Sequence, residues 1–438
     1  MRRGPIGRGS LSFILLFGVI FAFPKLAWSA FRLGKSGPWI RGFIEGSYGK
    51  KLHEDQTKHD EYDLCEVHFQ LKTRMDIDFN DLLYEWGTQL NVKVEGLLDE
   101  YFDTTVESYV RELNLVFTPV DWMDVKVGRQ ILTWGTGDYL FVNDLFPKDY
   151  VSFYSGRDDE YLKKPSDAIR VSIFFPKASL DLVWIPEFIP NTMPVGERLS
   201  FWDPYLQRIA GRDSVMTIID RSRKIGNSEY AGRLYGNIGS YEWALYYFNG
   251  FYKNPAGFAD QTQYQVYYPN LNAYGFSFRG PVVGGIGNVE FGYYDSREDP
   301  DGRIREVPNS KWIVLLGYER DMGHDFRIAW QWQYEYMLDY NEYLNSLLPS
   351  DIPSDVDKTT LTLRLTKQLW KQTLTLSLFV FWSPDEEDAY WRPSVSYDIS
   401  DDWNITFGAN FIWGKDNWTD FGQMERNSNV YVRLRYSF

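Results

Sequence analysis

Apolar and polar side chains alternate strictly in residues 325–336, which read DFRIAWQWQYEY. The apolar positions of this segment are Phe326, Ile328, Trp330, Trp332, Tyr334 and Tyr336. Because successive side chains of a β-strand point to opposite faces, the pattern predicts a strand with one apolar face and one polar face. Residues 64–77 and 88–98 repeat the alternation, and most of their polar positions are charged.

The length of these alternating segments separates two kinds of all-β protein. The strands of a soluble sandwich usually have about 5 to 6 residues. A tilted strand needs about 9 to 11 residues to cross the hydrocarbon layer of a membrane, which the alternating segments supply. Within lipid every backbone N–H and C=O group must be paired, and among sheets only a closed one achieves this. We therefore predict a transmembrane, antiparallel, up-and-down β-barrel of the all-β class.

The candidate strands number about 18, an even number, as is usual for such barrels. They lie near residues 39–49, 62–77, 84–98, 109–118, 124–133, 167–175, 178–185, 228–238, 243–251, 273–280, 287–294, 310–319, 325–336, 358–369, 373–382, 389–398, 403–413 and 429–438. Short connections at residues 176–177, 239–242, 320–324 and 400–402 fall between long ones. The sequence thus predicts tight turns at one end of the barrel and long loops at the other.

The N-terminal segment has the order of a secretory signal peptide, with arginines, an apolar run over residues 11–23 and a small-residue stretch that ends at Ala30. The apolar run is too short to cross a bilayer as a helix. We predict that residues 1–29 are the signal peptide and that residues 30–438 form a single barrel domain. Without the signal peptide, 42 Lys and Arg stand against 60 Asp and Glu, a net charge of −18. This balance argues against nucleic acid as a partner.

The last alternating strand ends the chain on an aromatic residue. Its apolar face carries Val430, Val432, Leu434, Tyr436 and Phe438. In this feature the chain resembles bacterial outer-membrane proteins, in which such a terminal aromatic is the mark read by the barrel-assembly machinery. The resemblance implies a location in the cell outer membrane, contact with its lipid and lipopolysaccharide, and recognition by the assembly machinery through Phe438. It leaves a homotrimer open.

Thirteen basic residues occupy strand positions that we assign to the lumen, against eleven acidic ones. The basic residues are Arg41, Lys72, Arg74, Lys93, Lys126, Arg170, Arg233, Arg279, Arg327, Arg364, Arg392, Arg433 and Arg435. The residues that we expect to line the pore are Lys93, Arg170, Arg233, Arg327, Arg364 and Arg433. All of these except Arg327 lie near mid-depth, where a positive ring would favour anions. Alternatively, the basic residues pair with inward acids across strands and only stabilise the wall.

A long connection follows the fifth candidate strand, and long loops are usually functional. Its beginning, Gly128-Arg129-Gln130 with Trp134-Gly135 and spaced aspartates, resembles the segment by which porins begin an inward-folding constriction loop, and it also resembles alginate-export-like barrels. The resemblance implies a constriction made by Trp134, Gly135, Asp138, Asp144 and Asp149. Gly135 and Gly137 would permit the bend, and the aspartates would face the arginine-bearing wall across an opening.

Two points about the long connections stay open. Strict alternation places Arg129 on the lipid side, so that the resemblance requires a bulge or a position at the outer rim for this residue. The loop that follows could also be a surface lid or a trimer contact. The connection over residues 186–227 is longer still and carries apolar residues, so that it could form a second plug or lid.

The sequence offers little for catalysis. No nucleophile signature accompanies its four histidines, and it lacks a phosphate-binding loop. Cys65 is the single cysteine, which excludes an intramolecular disulfide and a cysteine-based metal site. We therefore expect no enzymatic activity, no metal and no cofactor. The chain is also too short for the globular plug and 22-stranded barrel of an energy-coupled receptor.

The leading hypothesis is a porin, a channel for passive or substrate-selective diffusion of small polar solutes that are anionic or carbohydrate. Lumenal arginine and tyrosine side chains would bind such solutes transiently. One alternative is an export conduit for an acidic polysaccharide, which would need a continuous ladder of arginines. Another is a structural or interaction protein whose lumen is closed by its long loops.

Overall fold

Eighteen antiparallel strands close into one barrel in the computed structural model, which describes residues 31–32, 37–59, 61–78, 81–102, 105–221, 225–260 and 264–438. The strands are β1 (Trp39–Lys51), β2 (Tyr62–Asp76), β3 (Gln89–Asp99), β4 (Thr105–Val120), β5 (Met123–Ile131), β6 (Pro165–Phe174), β7 (Ser179–Ile185), β8 (Glu229–Ile238), β9 (Tyr241–Phe251), β10 (Asn270–Val282), β11 (Gly285–Ser296), β12 (Lys311–Asp321), β13 (Phe326–Met337), β14 (Asp357–Leu369), β15 (Leu374–Ser383), β16 (Asp388–Asp398), β17 (Trp403–Gly414) and β18 (Asn429–Ser437). Each strand pairs with the next in sequence, and β18 pairs with β1. The predicted fold class is confirmed.

Each of the predicted strands corresponds to one of these eighteen. The boundaries differ by a few residues: β3 begins five residues later than expected, and β4 is longer than expected at both ends. The predicted signal peptide, residues 1–29, lies outside the described residues. The division of the chain into a signal peptide and a barrel domain therefore stays a prediction.

The two ends of the barrel differ as the sequence predicts. Tight connections such as residues 121–122, 239–240 and 283–284 join the strands at one end, which we call the turn end. At the opposite end, the loop end, the connections include residues 132–164 and 186–228. The barrel thus has short turns at one end and long loops at the other.

Short helices and strands occupy the connections. The helices are α1 (Asp81–Glu85) at the turn end, and α2 (Tyr150–Ser155) and α3 (Tyr340–Ser346) at the loop end. Single-turn 3₁₀ segments lie at Glu100–Phe102, Asp159–Leu162, Ile225–Asn227 and Gly422–Asn427. The additional strands are Phe31–Arg32, which pairs with the start of β1, a hairpin of Phe201–Asp203 and Arg208–Ala210, and a small sheet of Thr217–Ile218, Gly257–Asp260 and Gln265–Tyr267. None of the helices in the described part of the chain has the length and apolar character of a membrane-spanning helix.

The outer face of the barrel is apolar and exposed. Trp330, Leu363, Trp391 and Phe411 point outward, and between 37% and 54% of the surface of these and neighbouring outward residues such as Trp413 is exposed. In water this exposure would be costly, whereas lipid accepts it. The outer face therefore fits the hydrocarbon layer of a membrane.

One departure from alternation changes which side chains enter the lumen. In the pairing of β3 with β4, Lys93 lies opposite Glu112 while the next residue of β3, Val94, lies opposite Val110. This bulge leaves Arg111 without a partner in the ladder and turns both Arg111 and Glu112 inward. Arg111 is therefore a lumenal arginine that strict alternation misses.

The two faces of β14 give a test of the lipid-facing assignment. Leu363 lies at the middle of the strand opposite Trp330, and Thr366 lies on the lumenal face. We expect Leu363→Arg to destabilise the barrel by about 2–4 kcal/mol, because an arginine at the bilayer midplane is poorly solvated. Thr366→Arg is the matched control and should cost about 1 kcal/mol or less. Urea unfolding in lipid vesicles measures both, and equal losses would contradict the orientation of β14.

Candidate functional site

The connection between β5 and β6, residues 132–164, folds into the barrel, and we call it the constriction loop. It carries α2 and the 3₁₀ segment Asp159–Leu162. Its side chains and backbone contact strands on several sides of the barrel, among them β2, β3, β11, β14, β16 and β18. The loop therefore crosses the lumen instead of lining one side of it.

Glu290 on β11 fastens the beginning of the loop. Its carboxylate accepts hydrogen bonds from the Gly137 backbone N–H at 2.8 Å, the Thr136 hydroxyl at 2.8 Å and the Asn143 side-chain amide at 2.7 Å. Gly135 has φ +81°, and a Cβ at this position would stand 3.1 Å from a carboxylate oxygen of Glu290. A glycine is thus suited to this bend, because other residues would be strained there.

Asp138 and Tyr139 reach the opposite wall. The Asp138 carboxylate lies 2.8 Å from the guanidinium of Arg364, and its backbone N–H donates to Gln331. The ring of Tyr139 packs against Phe379 with centroids 4.8 Å apart. Arg364 and Arg392 each lie about 5 Å from the centre of the Tyr139 ring. The tyrosine therefore sits between two arginines.

Three consecutive acids farther along the loop meet basic residues of the wall. Asp158 lies 3.0 Å from Arg435 and 3.3 Å from Arg433, and Asp159 lies 2.7 Å from Arg392. Glu160 lies 3.0 Å from Lys93. These acids and Tyr139 are not among the site residues predicted from the sequence. A run of acids inside a loop expected to enter a basic lumen is a signal that could have identified them.

The remaining predicted loop residues lie elsewhere. Asp144 pairs with Lys148 of the same loop at 2.9 Å, and Asp149 caps the N-terminus of α2 by accepting from the Ser152 N–H. Trp134 is buried against Phe146, with ring centroids 5.0 Å apart. Of the three aspartates implied by the resemblance, the structure brings only Asp138 to an arginine of the wall.

The predicted pore-lining residues fall into three groups. Lys93, Arg364 and Arg433 contact the acids of the constriction loop. Arg233 and Arg327 pair with acids of the wall, at 2.8 Å to Asp181 and 3.4 Å to Glu319. Arg170 has no ion pair with a carboxylate among the described residues. Most of the predicted pore-lining residues thus form ion pairs with acids inside the barrel, as the alternative interpretation predicts.

Arg129 occupies the outer face. It forms a two-point ion pair with Asp167 of β6, with the guanidinium nitrogens 2.9 and 2.7 Å from the carboxylate oxygens. Its partner on β4 in the ladder is the exposed Leu113, and it lies two residues from the loop-end terminus of β5. A position at the outer rim, one of the two options from the sequence, is therefore observed, and Arg129 lies outside the lumen.

Basic side chains without carboxylate partners line the lumen near the turn end. Arg41 lies opposite Lys72 in the pairing of β1 with β2, and Lys126 lies opposite Arg170 in the pairing of β5 with β6. Within the part of the chain that the structure describes, no carboxylate lies within ion-pair distance of any of the four. We call these four residues the basic row. All but Arg170 line a cavity of about 1710 Å³ at the turn end.

The loop end has the opposite charge. A vestibule of about 990 Å³ there is lined by carboxylates from residues 351–357, 385–387 and 416–420, together with Glu335. Lys358 lies 2.9 Å from Glu386 and 2.5 Å from Asp420. Arg305 and Lys311 are its other basic lining residues. The lumen is therefore acidic on one side of the constriction loop, whereas basic residues outnumber acidic ones by five to three in the lining of the turn-end cavity on the other side.

The second long connection, residues 186–228, packs over the loop end. Phe188 contacts Phe251 and Tyr268, with ring centroids 5.3 and 4.9 Å apart. Arg198 is buried and forms an ion pair with Asp99. Some apolar residues of this connection, Phe188 among them, thus have packing partners, whereas Val215 and Ile225 are exposed.

Burial and neighbouring charges shift the pKa values of two loop acids in opposite directions. Burial raises the pKa of Asp138 above its ordinary value, although Arg364 acts against this. Burial also acts to raise the pKa of Asp159, but Arg392 and the Tyr139 hydroxyl outweigh it and lower the pKa. As the pH falls, Asp138 therefore loses its charge before Asp159 does.

Comparisons with known proteins identify similar folds. No family model and no curated protein matches the chain. Among solved structures, OccAB4 of Acinetobacter baumannii has a TM-score of 0.54 at 8% identity, covering 92% of this chain and 99% of its own. OccK2 of Pseudomonas aeruginosa, solved in complex with glucuronate, has a TM-score of 0.53 at 10% identity, with 91% and 97% covered. The outer membrane protein opdK of the same species has a TM-score of 0.53 at 10% identity, with 92% and 98% covered.

At this identity the likeness concerns the fold alone. It extends over nearly the whole of each chain. The resemblance to outer-membrane barrels, drawn from the terminal strand and the alternation, is thereby confirmed at the level of architecture. Functional conclusions must come from the side chains of this chain.

The bonds that Glu290 accepts allow a test of how the loop is held. We expect Glu290→Ala to weaken the attachment of residues 133–143 by about 3 kcal/mol, because it leaves several buried donors without an acceptor. Hydrogen exchange of this segment in detergent should then be roughly a hundredfold faster, while the strands keep their protection.

Glu319→Ala is the matched control for this variant, since the Glu319 side chain is 40% exposed and forms an ion pair with Arg327 of the wall. It should leave exchange of the loop unchanged. Equal exchange of residues 133–143 in the two variants would show that Glu290 does not hold the loop.

Proposed function

We propose that the protein is an outer-membrane channel for passive or substrate-selective diffusion of small polar solutes, with a preference for anions or carbohydrates. The observation that carries the proposal is the basic row, Arg41, Lys72, Lys126 and Arg170, which lies in the lumen without carboxylate partners. Fixed positive charges in a confined polar passage lower the cost of bringing an anion into it.

The arrangement of the basic row is unfavourable for stability alone. Like charges directly opposite each other on neighbouring strands repel, and most basic residues elsewhere in this lumen have acidic partners. Arg41 lies opposite Lys72, and Lys72 lies opposite Lys93 on the next strand. A row of basic side chains that have no ion-pair partner is suited to a passage for anions.

The fold and its neighbours support the same class of function. The barrel has an apolar outer face and a charged lumen, the division that a channel through a membrane needs. OccK2, a neighbour in fold, has been solved with glucuronate, a sugar acid that combines both of the proposed solute classes. The support is an analogy between folds, because sequence identity with OccK2 is only 10%.

The proposed location and partners follow from the outer surface and the terminus. We propose contact with outer-membrane lipid and lipopolysaccharide, recognition of Phe438 by the barrel-assembly machinery, and assembly as a homotrimer. Phe438 exchanges two backbone hydrogen bonds of 2.9 Å with Gly42, so that the last residue completes the seam between β18 and β1. A channel role also requires no catalytic residue, metal or cofactor.

A closed barrel is the second candidate, favoured by the constriction loop. The ion pairs of Asp138 and Asp159 join loop and wall directly, at 2.8 and 2.7 Å. An export conduit for an acidic polysaccharide has less support, because its ladder of arginines would have to continue through a vestibule rich in carboxylates. Current across a planar bilayer separates the open channel from the closed barrel.

Removal of the basic row tests the preference for anions. We expect the purified protein to conduct in planar bilayers and its reversal potential in a KCl gradient to indicate preference for chloride. In the variant Arg41→Gln, Lys72→Gln, Lys126→Gln the ratio of anion to cation permeability should fall about twofold or more, because three unpaired charges leave the passage.

The control removes a paired charge together with its partner. Arg233→Gln with Asp181→Asn deletes one neutral ion pair of the wall and should leave the permeability ratio within about 20% of the original. Absence of current in all preparations of folded protein would favour the closed barrel. Unchanged selectivity in the triple variant would exclude the basic row as its source.

A further inference from the structure

The loop acids touch the wall arginines instead of facing them across an opening. The Asp138 carboxylate is 2.8 Å from Arg364, and the Asp159 carboxylate is 2.7 Å from Arg392. These are contact distances of hydrogen-bonded ion pairs. A solute that passes between loop and wall at this level must first separate them.

The cavities on the two sides of this contact are separate. The cavity next to Arg364 has a volume of about 510 Å³ and lies on the turn-end side of the contact. Residues 135–138 of the constriction loop form part of its lining. Among the described residues, none that lines this cavity or the larger one at the turn end also lines the acidic vestibule. The loop and its ion pairs thus lie between the two spaces.

The wall presents a defined pair of cations at this contact. Arg364 on β14 and Arg392 on β16 flank Phe379 of β15 in a single cross-strand row. The Arg392 side chain is 10% exposed and the Arg364 side chain 33% exposed. The Tyr139 hydroxyl donates to Asp159, and the Tyr139 ring packs on Phe379. The site therefore consists of two guanidinium groups beside two aromatic rings.

Opening this contact has a different cost for different solutes. Separation of the ion pairs by water or by a neutral solute leaves Arg392 without its anion in a nearly enclosed position, which is unfavourable. A carboxylate can accept the charge-assisted hydrogen bond that each aspartate accepts from its guanidinium, and its planar shape also permits a two-point pair. Chloride supplies the charge but not this planar geometry. A carboxylate-bearing solute is therefore the species that can replace the loop acids most easily.

We propose that Asp138 and Asp159 occupy, as internal ligands, the positions of a solute carboxylate on Arg364 and Arg392, and that a carboxylate-bearing solute opens the constriction by exchanging with them. This inference rests on the proposed channel function and adds its regulation. The rings of Tyr139 and Phe379 favour a carboxylate attached to a flat or ring-shaped body, which can stack beside them. Benzoate is a suitable probe, and benzamide is its neutral counterpart.

The wild-type protein allows a first test without any substitution. In planar bilayers in KCl, benzoate in the millimolar range should raise the conductance about threefold, since it replaces the loop acids, and benzamide should not. Hydrogen exchange of residues 132–164 in detergent should be accelerated by benzoate only. An equal response to benzoate and benzamide, or no response in a conducting channel, would overturn the proposal.

Removal of the internal ligands gives the second test. The variant Asp138→Asn, Asp159→Asn should conduct about threefold more than wild type in KCl alone and respond little to benzoate, because the loop no longer competes for the arginines. Asp124→Asn is the control, which removes a lumenal acid outside the constriction loop whose hydrogen-bond partner is the Thr118 hydroxyl. It should keep the conductance and the benzoate response of the wild type.

The outcomes distinguish this proposal from the channel function. If wild type, control and loop variant all fail to conduct although folded, the channel function itself is wrong. If all three conduct equally with and without benzoate, the channel function stands and the exchange at Arg364 and Arg392 is wrong. If the loop variant does not fold, the comparison of benzoate with benzamide on the wild type still decides.

Discussion

Everything in this structure depends on the pairing of backbone groups where no water is present to satisfy them. A sheet in lipid cannot have a free edge, because each unpaired N–H or C=O group in hydrocarbon costs several kcal/mol. The pairing of β18 with β1, completed at Phe438, removes that edge. Once the cylinder is closed, each strand has one face toward lipid and one toward the lumen. The alternation of the sequence is the consequence.

In the lumen, many of the charged side chains pair with one another. Arg233 and Arg327 form ion pairs with acids of the wall. Arg364 and Arg392, among others, form ion pairs with acids of the constriction loop. The loop is thus held by these ion pairs, by the carboxylate of Glu290 on the opposite side, and by a buried apolar cluster that includes Leu140, Phe146 and Phe153. What remains unpaired, the basic row, is the part of the lumen available to interact with a solute. The proposed function rests on this basic row.

The strands could be predicted because a period of two is a local property, enforced on each strand by the lipid on one side. The bulge that turns Arg111 inward could not be predicted, since it depends on the register in which β3 and β4 pair. The partners of the loop were beyond the sequence for a related reason. Asp138 and Arg364 are separated by more than two hundred residues, and only the closed barrel brings them together. The resemblance indicated the right loop, but it could not tell Asp138 from Asp144, which turns back to Lys148.

The position of Glu290 also constrains the order of assembly. The constriction loop leaves the wall after β5. Its partners Glu66 on β2 and Lys93 on β3 precede it in the chain, but its anchor Glu290 lies on β11 and other partners on β14, β16 and β18. The loop can therefore complete its contacts only after the last strands of the wall are in place. Contacts between residues so distant in sequence form late and slowly. The contacts that fill the interior of this barrel are therefore completed after its lipid-facing wall has formed.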